Sequence, residues 1–347
     1  MKRTVLIIIV ASVHVLILGW LIRGCQPAPP TRDERATEDK ARRDGGDLAD
    51  VAGADATTDG SGGTDRAASR RNDIYQPKTL RHTEVALPPT LRQATIECRA
   101  GVLVDFTSNR ILWAKDETKT VPIASMTKMM TVLLLMESIA ADSELTLDTL
   151  IPVTRSAASI GGRQVYLDPR EKLTLDELLK CTIIRSANDT AYLIAEYLSK
   201  GNVQDFIKRM NRRADELGFP TATFSSPHGL PLNGATPDKA SPLELAFLAR
   251  ILLSHPEVVR WSSTRLEYIR ENTSKFKPFQ LINTNTLVEK VPGVTGMKTG
   301  FTQDAGYCMT VTCTRSDRTL VLVVTGCRSN ESRDDLATKL LEWGFAQ

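Results

Sequence analysis

Hydrophobic positions fall along this chain in three regimes. Residues 4–22 are almost wholly apolar, broken by Ser12 and His14. Residues 26–72 hold hardly any large apolar side chain and mix Asp, Arg, Ala, Gly, Thr and Pro. From about Ala94 onward, apolar positions recur at strand and helix spacings. Residues 98–106 read as a strand, 107–110 as a turn and 111–114 as the returning strand. A strongly apolar helix begins at Ser125, and 145–154 reads as extended. Residues 159–163 form a loop, and 175–184 have helical spacing. A helix over 190–200 ends at Gly201, and an amphipathic one over 203–217 closes at Gly218. Another spans 241–253, opened by Ser241-Pro242 with Glu244 at its third position. Strand signals resume at 307–314 and 319–326 across the turn Ser316-Asp317-Arg318, and a last helix covers 334–343.

Strands, then many helices, then strands predict an α/β fold. Its antiparallel sheet is formed by the N- and C-terminal strands, with a helical region inserted between them. The domain plan is residues 1–25, 26–90 and 91–347. The first apolar run follows Met1-Lys2-Arg3 and is about long enough to span a bilayer. It is read as a retained membrane anchor, against a cleaved signal or lipidation at Cys25; Arg23 makes a poor lipoprotein cleavage site. The second stretch cannot bury enough surface to offset its ordering entropy and reads as a disordered tether. Residues 91–347 hold the body.

Charge and metal chemistry narrow the function. A formal charge of +3 over 347 residues gives no case for nucleic acid. The four histidines, His14, His82, His228 and His255, are not spaced with metal-ligand partners. A histidine-based serine hydrolase has few candidates. The six cysteines include no C-x-x-C pair. One disulfide among Cys98, Cys308, Cys313 and Cys327, or buried thiols throughout, are both open.

The candidate chemistry sits at the start of the apolar helix. Ser125-Met126-Thr127-Lys128 puts a hydroxyl and an amine on one face of a first turn. Serine needs a base, and lysine serves as one only when burial or a nearby cation lowers its pKa. The residues that follow, Met129 to Leu135, are apolar nearly all round, the mark of a buried helix. The pair alone is unspecific: Ser274-Lys275-Phe276-Lys277 matches it and reads as a surface loop. Ser186-Ala187-Asn188, in a polar break between helices, supplies a hydroxyl and an amide; alone it reads as a helix cap. Lys298-Thr299-Gly300 sets a cation beside a hydroxyl on a strand edge, suited to a carboxylate.

Together and in this order, S-x-x-K, S-x-N and K-T-G are the signature of penicillin-recognising serine enzymes. The body resembles the D-alanyl-D-alanine carboxypeptidases, the low-molecular-weight penicillin-binding proteins. Residues 122–128, 185–190, His228-Gly229-Leu230, 296–302 and Leu341-Glu342-Trp343-Gly344-Phe345 carry the resemblance. It covers the chain from about Ile96 and implies a β-lactamase/transpeptidase-like fold. It implies Ser125 as nucleophile, Lys128 as general base, Ser186 as proton relay and Asn188 as substrate positioner. Lys298, Thr299 and Gly300 would bind the substrate, with the Phe301 backbone N–H beside that of Ser125 in an oxyanion hole. No cofactor or metal is implied. The implied partners are peptidoglycan stem peptides, β-lactam antibiotics as inhibitors, and the membrane through the N-terminal segment, with the catalytic domain on the periplasmic or extracytoplasmic side.

Ala187 departs from the family's usual glycine. Many relatives continue into a β-rich second domain and a C-terminal amphipathic helix; here the anchor and tether are expected to hold the domain near the membrane. A class A β-lactamase would need an E-x-x-x-N element between Ser186 and Lys298, and none is present. A D,D-endopeptidase and a non-catalytic peptidoglycan-binding wall protein are the alternatives.

Overall fold

The computed structural model describes residues 76–83, 85–231, 236–271 and 274–347. The expected anchor and most of the expected tether lie outside the described residues.

The frame is a six-stranded sheet built from both ends of the body. It comprises β1 (Arg81–His82), β2 (Ala100–Asp105), β3 (Arg110–Lys115), β10 (Val294–Thr302), β11 (Gly306–Arg315) and β12 (Arg318–Cys327). Their order is β1-β3-β2-β12-β11-β10, antiparallel except for β1 on β3. This is the expected architecture: the first hairpin pairs with the last strand of the chain, Val102 opposite Val323.

The period of two divides the sheet's side chains between two cores. Val102, Val104, Val321 and Val323 face one cluster, and Leu103, Leu320, Leu322 and Val324 the other. Both faces are covered, so these strands read as continuous apolar runs. The second face is covered by α10 (Asn330–Phe345), whose start is capped by Ser329. The first packs on the inserted helical region. That region contains α2 (Lys128–Ala141), α4 (Leu175–Lys180), α5 (Asn188–Leu198), α6 (Val203–Leu217) and α7 (Pro242–Leu252). α2 is its centre, buried without interruption from Lys128 to Met136. It is apolar enough to cross a membrane, yet it is a core helix, two-thirds buried.

Several elements depart from the expected pattern. The body starts before Ala94: Leu80 is buried, β1 joins the sheet, and α1 spans Pro89–Ala94. One apolar residue and backbone pairing leave no periodic signal to read. The helix over 175–184 widens into a π turn at Cys181–Arg185 and ends at Ser186 in the left-handed region, φ 62°. Of 145–154, only Leu150–Pro152 is a strand. The helix Pro256–Ser263 and the hairpin Leu266–Ile269 with Phe279–Ile282 were not foreseen. Nor was the extent of β10, whose glycines and polar residues break the strand pattern. All five described cysteines are free buried thiols, so no disulfide forms among Cys98, Cys308, Cys313 and Cys327.

One loop near the site is held by a buried ion pair. Arg270 Nε and Nη2 donate to Glu171 at 2.7 and 2.6 Å. The same guanidinium donates to the carbonyls of Val165 and Tyr166, both at 3.1 Å. Asp189 holds the loop from the other side, accepting from Val165 and Leu167 N–H. Removing one partner of a buried pair leaves an uncompensated charge. Arg270→Met is therefore expected to cost about 3–5 kcal/mol in denaturant unfolding, and Arg270→Met with Glu171→Leu much less.

Candidate active site

The site assembles where three elements meet. Ser125 lies in a single 3-10 turn, Ala124–Thr127, that leads into α2. Ser186 and Asn188 sit between the π turn and α5. Lys298, Thr299 and Gly300 lie on β10, at the free edge of the sheet. Ser125, Ser186, Asn188, Thr299, Gly300 and Phe301 line one cleft of about 670 Å³. Lys128 and Lys298 lie beneath it, 0 % and 3 % exposed. All eight residues singled out in the sequence thus come together.

Lys128 is the hub. Its Nζ stands 2.9 Å from Ser125 Oγ and 2.7 Å from both Asn188 Oδ1 and the His228 carbonyl. A protonated amine donates to all three. A neutral one donates to Asn188 and His228 and turns its lone pair to the Ser125 hydroxyl. Burial pushes the Lys128 pKa down to about 7; Asp238 and Asp189 oppose the shift and Arg163 adds to it. A proton acceptor at neutral pH therefore stands within hydrogen-bond reach of the serine.

The second lysine is buried too. Lys298 Nζ donates to Ser186 Oγ at 2.8 Å and to the Thr299 carbonyl at 2.9 Å. Burial, then Lys128, Arg163 and Arg333, hold its pKa well below the usual value. Thr299 Oγ1 donates to Thr284 Oγ1 at 2.7 Å, which fixes the hydroxyl beside the cleft. Asn188 is anchored too: its Nδ2 donates to the Gly161 carbonyl at 2.9 Å.

Close backbone packing sets the position of Ser125. The Ser125 N–H has no acceptor among the described residues. A Cβ on Gly300 would come 2.9 Å from the Ile123 carbonyl and 3.1 Å from Ser125 N. One on Gly229, at φ +86°, would come 2.0 Å from the Ala124 carbonyl. Glycine is required at both positions by lack of space, and at Gly229 also by its dihedral.

Two contributors were missed in the sequence. His228 acts through its backbone carbonyl rather than as a base. Burial and the neighbouring Lys128 push its imidazole down to about 3, and Nδ1 accepts from Leu230 N–H. Its motif, His228-Gly229-Leu230, was visible only as part of the resemblance. Arg333, in the first turn of α10, is 5 % exposed and lines the cleft. No local pattern marks it, because it reaches the site only through the packing of α10 on the sheet.

A family model described as D-alanyl-D-alanine carboxypeptidase matches residues 88–329. The chain belongs to this family. D-alanyl-D-alanine carboxypeptidase DacF of Bacillus subtilis is 36% identical over 251 residues, 72% of this chain and 63% of that protein. The aligned region of DacC from Escherichia coli, 30% identical, is 76% of this chain and 65% of that protein. The chain thus spans a little under two thirds of the length of these relatives. Penicillin-binding protein D2 of Listeria monocytogenes, solved with ampicillin bound, superposes with a TM-score of 0.63 at 28% identity, covering 72% of this chain and 97% of that one. The fold expected from the resemblance is therefore the fold observed.

The family's His-Gly element can be tested through its packing. Gly229→Ala is expected to lower stability by roughly 1–3 kcal/mol, from the left-handed dihedral and the clash with Ala124. Gly161→Ala, with nothing within 4 Å of the added Cβ, should stay within about 0.5 kcal/mol of wild type. Equal unfolding midpoints for the two variants would contradict the packing argument.

Proposed function

We propose that the chain is a serine-type D-Ala-D-Ala carboxypeptidase that removes the terminal D-alanine from peptidoglycan stem peptides. The observation that carries this reading is a buried lysine with a pKa near neutrality, 2.9 Å from Ser125 Oγ, beneath the cleft that Ser125 lines. Membership of the family and the shared fold support it.

Ser125 Oγ attacks the carbonyl of the penultimate D-alanine while Lys128 Nζ takes its proton. The developing oxyanion is met by the backbone N–H groups of Ser125 and Phe301. Ser186, held by Lys298, passes its proton to the leaving amine as the C–N bond breaks and regains one from the Lys128 ammonium, which is left neutral; D-alanine departs. Asn188 positions the substrate amide. Lys298 and Thr299, with Arg333 close by, meet the terminal carboxylate. Water then attacks the acyl-ester, giving a proton to the neutral Lys128 amine, which returns it to Ser125 Oγ as the ester C–O bond breaks, and a peptide one residue shorter is released. Penicillins acylate the same serine. The N-terminal apolar run would hold the enzyme at the membrane, with the catalytic domain on the extracytoplasmic side and the polar stretch that begins at residue 26 as its tether.

Two measurements test the reading. The protein is incubated with a fluorescent penicillin and, separately, with a peptide ending Lys-D-Ala-D-Ala. A covalent label that disappears in Ser125→Ala, together with release of D-alanine, is expected. A label without release would point to an endopeptidase or a binder, and no label would sink the proposal. The pH profile follows from Lys128. Below its pKa the amine already holds a proton and cannot take another. The acylation rate should therefore rise as pH passes through about 7 and then level off. A profile flat between pH 5 and 9, on the order of two units either side, would show that Lys128 is not the base.

A further inference from the structure

The cleft carries more positive charge than the chemistry at Ser125 uses. Three arginines line it: Arg163, Arg265 and Arg333. Arg265 is paired with Glu289 at 2.7 Å and Arg333 with Asp334 at 2.7 Å. The Arg163 guanidinium has neither an ion pair nor a hydrogen bond among the described residues. Another cation, Arg185, adds to burial in lowering its pKa. Arg185 directly precedes Ser186, and its Nε is buried with no hydrogen-bond partner.

These groups are held in place. The Arg163 carbonyl accepts Asn188 N–H at 2.7 Å, and the Gly161 carbonyl accepts Asn188 Nδ2. Two residues on, the loop is fastened by Asp189 and Arg270. Arg185 is fixed by the end of the π turn. Two like charges side by side repel, and a buried N–H without an acceptor costs free energy. Both costs fall when an anion binds between them, and a guanidinium fork matches a carboxylate in geometry.

We propose that Arg163 and Arg185 form an anion subsite on the Asn188 side of the cleft, which takes a carboxylate of the substrate peptide other than its terminal one. The inference rests on the carboxypeptidase reading and names the class of peptide it prefers: stem peptides with an acidic residue upstream of the scissile bond, its carboxylate free rather than amidated. The terminal carboxylate is left to Lys298 and Thr299.

The test uses two peptides ending Lys-D-Ala-D-Ala that differ only in one upstream group, a free carboxylate or its amide. D-alanine release gives kcat/KM for each, and protection of Ser125 from fluorescent penicillin gives their relative affinity. The wild type should favour the free carboxylate by about tenfold, the value of one charge-assisted contact. Added salt should shrink that preference. Arg163→Gln and Arg185→Gln should each bring the ratio close to one, with penicillin labelling reporting that Ser125 remains in place. The wild-type ratio decides alone if a variant fails to fold. Equal use of both peptides by a labelled, active wild type overturns the subsite and leaves the carboxypeptidase reading standing. Absence of both label and release overturns that reading and the subsite with it.

Discussion

An amine buried completely beneath a serine is the constraint on which the rest of the structure depends. Lys128 keeps a pKa near neutrality because it sits in the apolar interior with no carboxylate among its direct partners. Its contacts are a hydroxyl, an amide oxygen and a backbone carbonyl. Each can accept from an ammonium, and none carries the charge that would hold the proton there. Asp238 and Asp189 act only from farther off. Asp238 is occupied by Thr127, Ser225 and Ser226, and Asp189 by backbone N–H groups of the 165–167 loop. The carboxylates that pull on Lys128 therefore also hold the walls around it.

The scaffold meets this constraint through its sheet. Because β2, β11 and β12 are covered on both faces, the sheet is rigid, and its free edge, β10, has a fixed position. That edge comes so close to the Ser125 turn that only glycine fits at Gly300, and the Gly229 turn closes on the same segment from the His228 side. The serine is thus located by backbone contacts from two directions. Its position depends on the main chain rather than on flexible side chains.

Charge is distributed unevenly around this centre. Arg163 adds to burial in lowering the proton affinity of Lys128, and Lys128, Arg163 and Arg333 do the same to Lys298, while most nearby carboxylates are tied into structural hydrogen bonds. A cleft built this way is poised for anionic ligands. Of its lining arginines Arg163 has no ion pair among the described residues, and Arg185, just before Ser186, has a buried Nε without a partner.

The sequence by itself determined the periodic and the contiguous. The apolar run after Lys128 marked a buried helix, the short apolar runs on either side of turns marked the sheet, and Ser241 with Glu244 marked a helix start that the structure caps as expected. Three short motifs named seven of the eight residues that the fold brings together, because each motif's spacing is local; the eighth, Phe301, came from the resemblance. Only the tertiary structure decided what depends on distant segments meeting. The lowered Lys128 pKa, the role of the His228 carbonyl, the arrival of Arg333 from the last helix and the neighbourhood of Arg163 and Arg185 all arise from packing. So does β10, whose glycines and lysine look unlike a strand until the sheet beside it and the serine turn against it are in place. Propensity reads a residue's own neighbours in the chain; burial and electrostatics are set by neighbours a hundred residues away, and no local pattern encodes them.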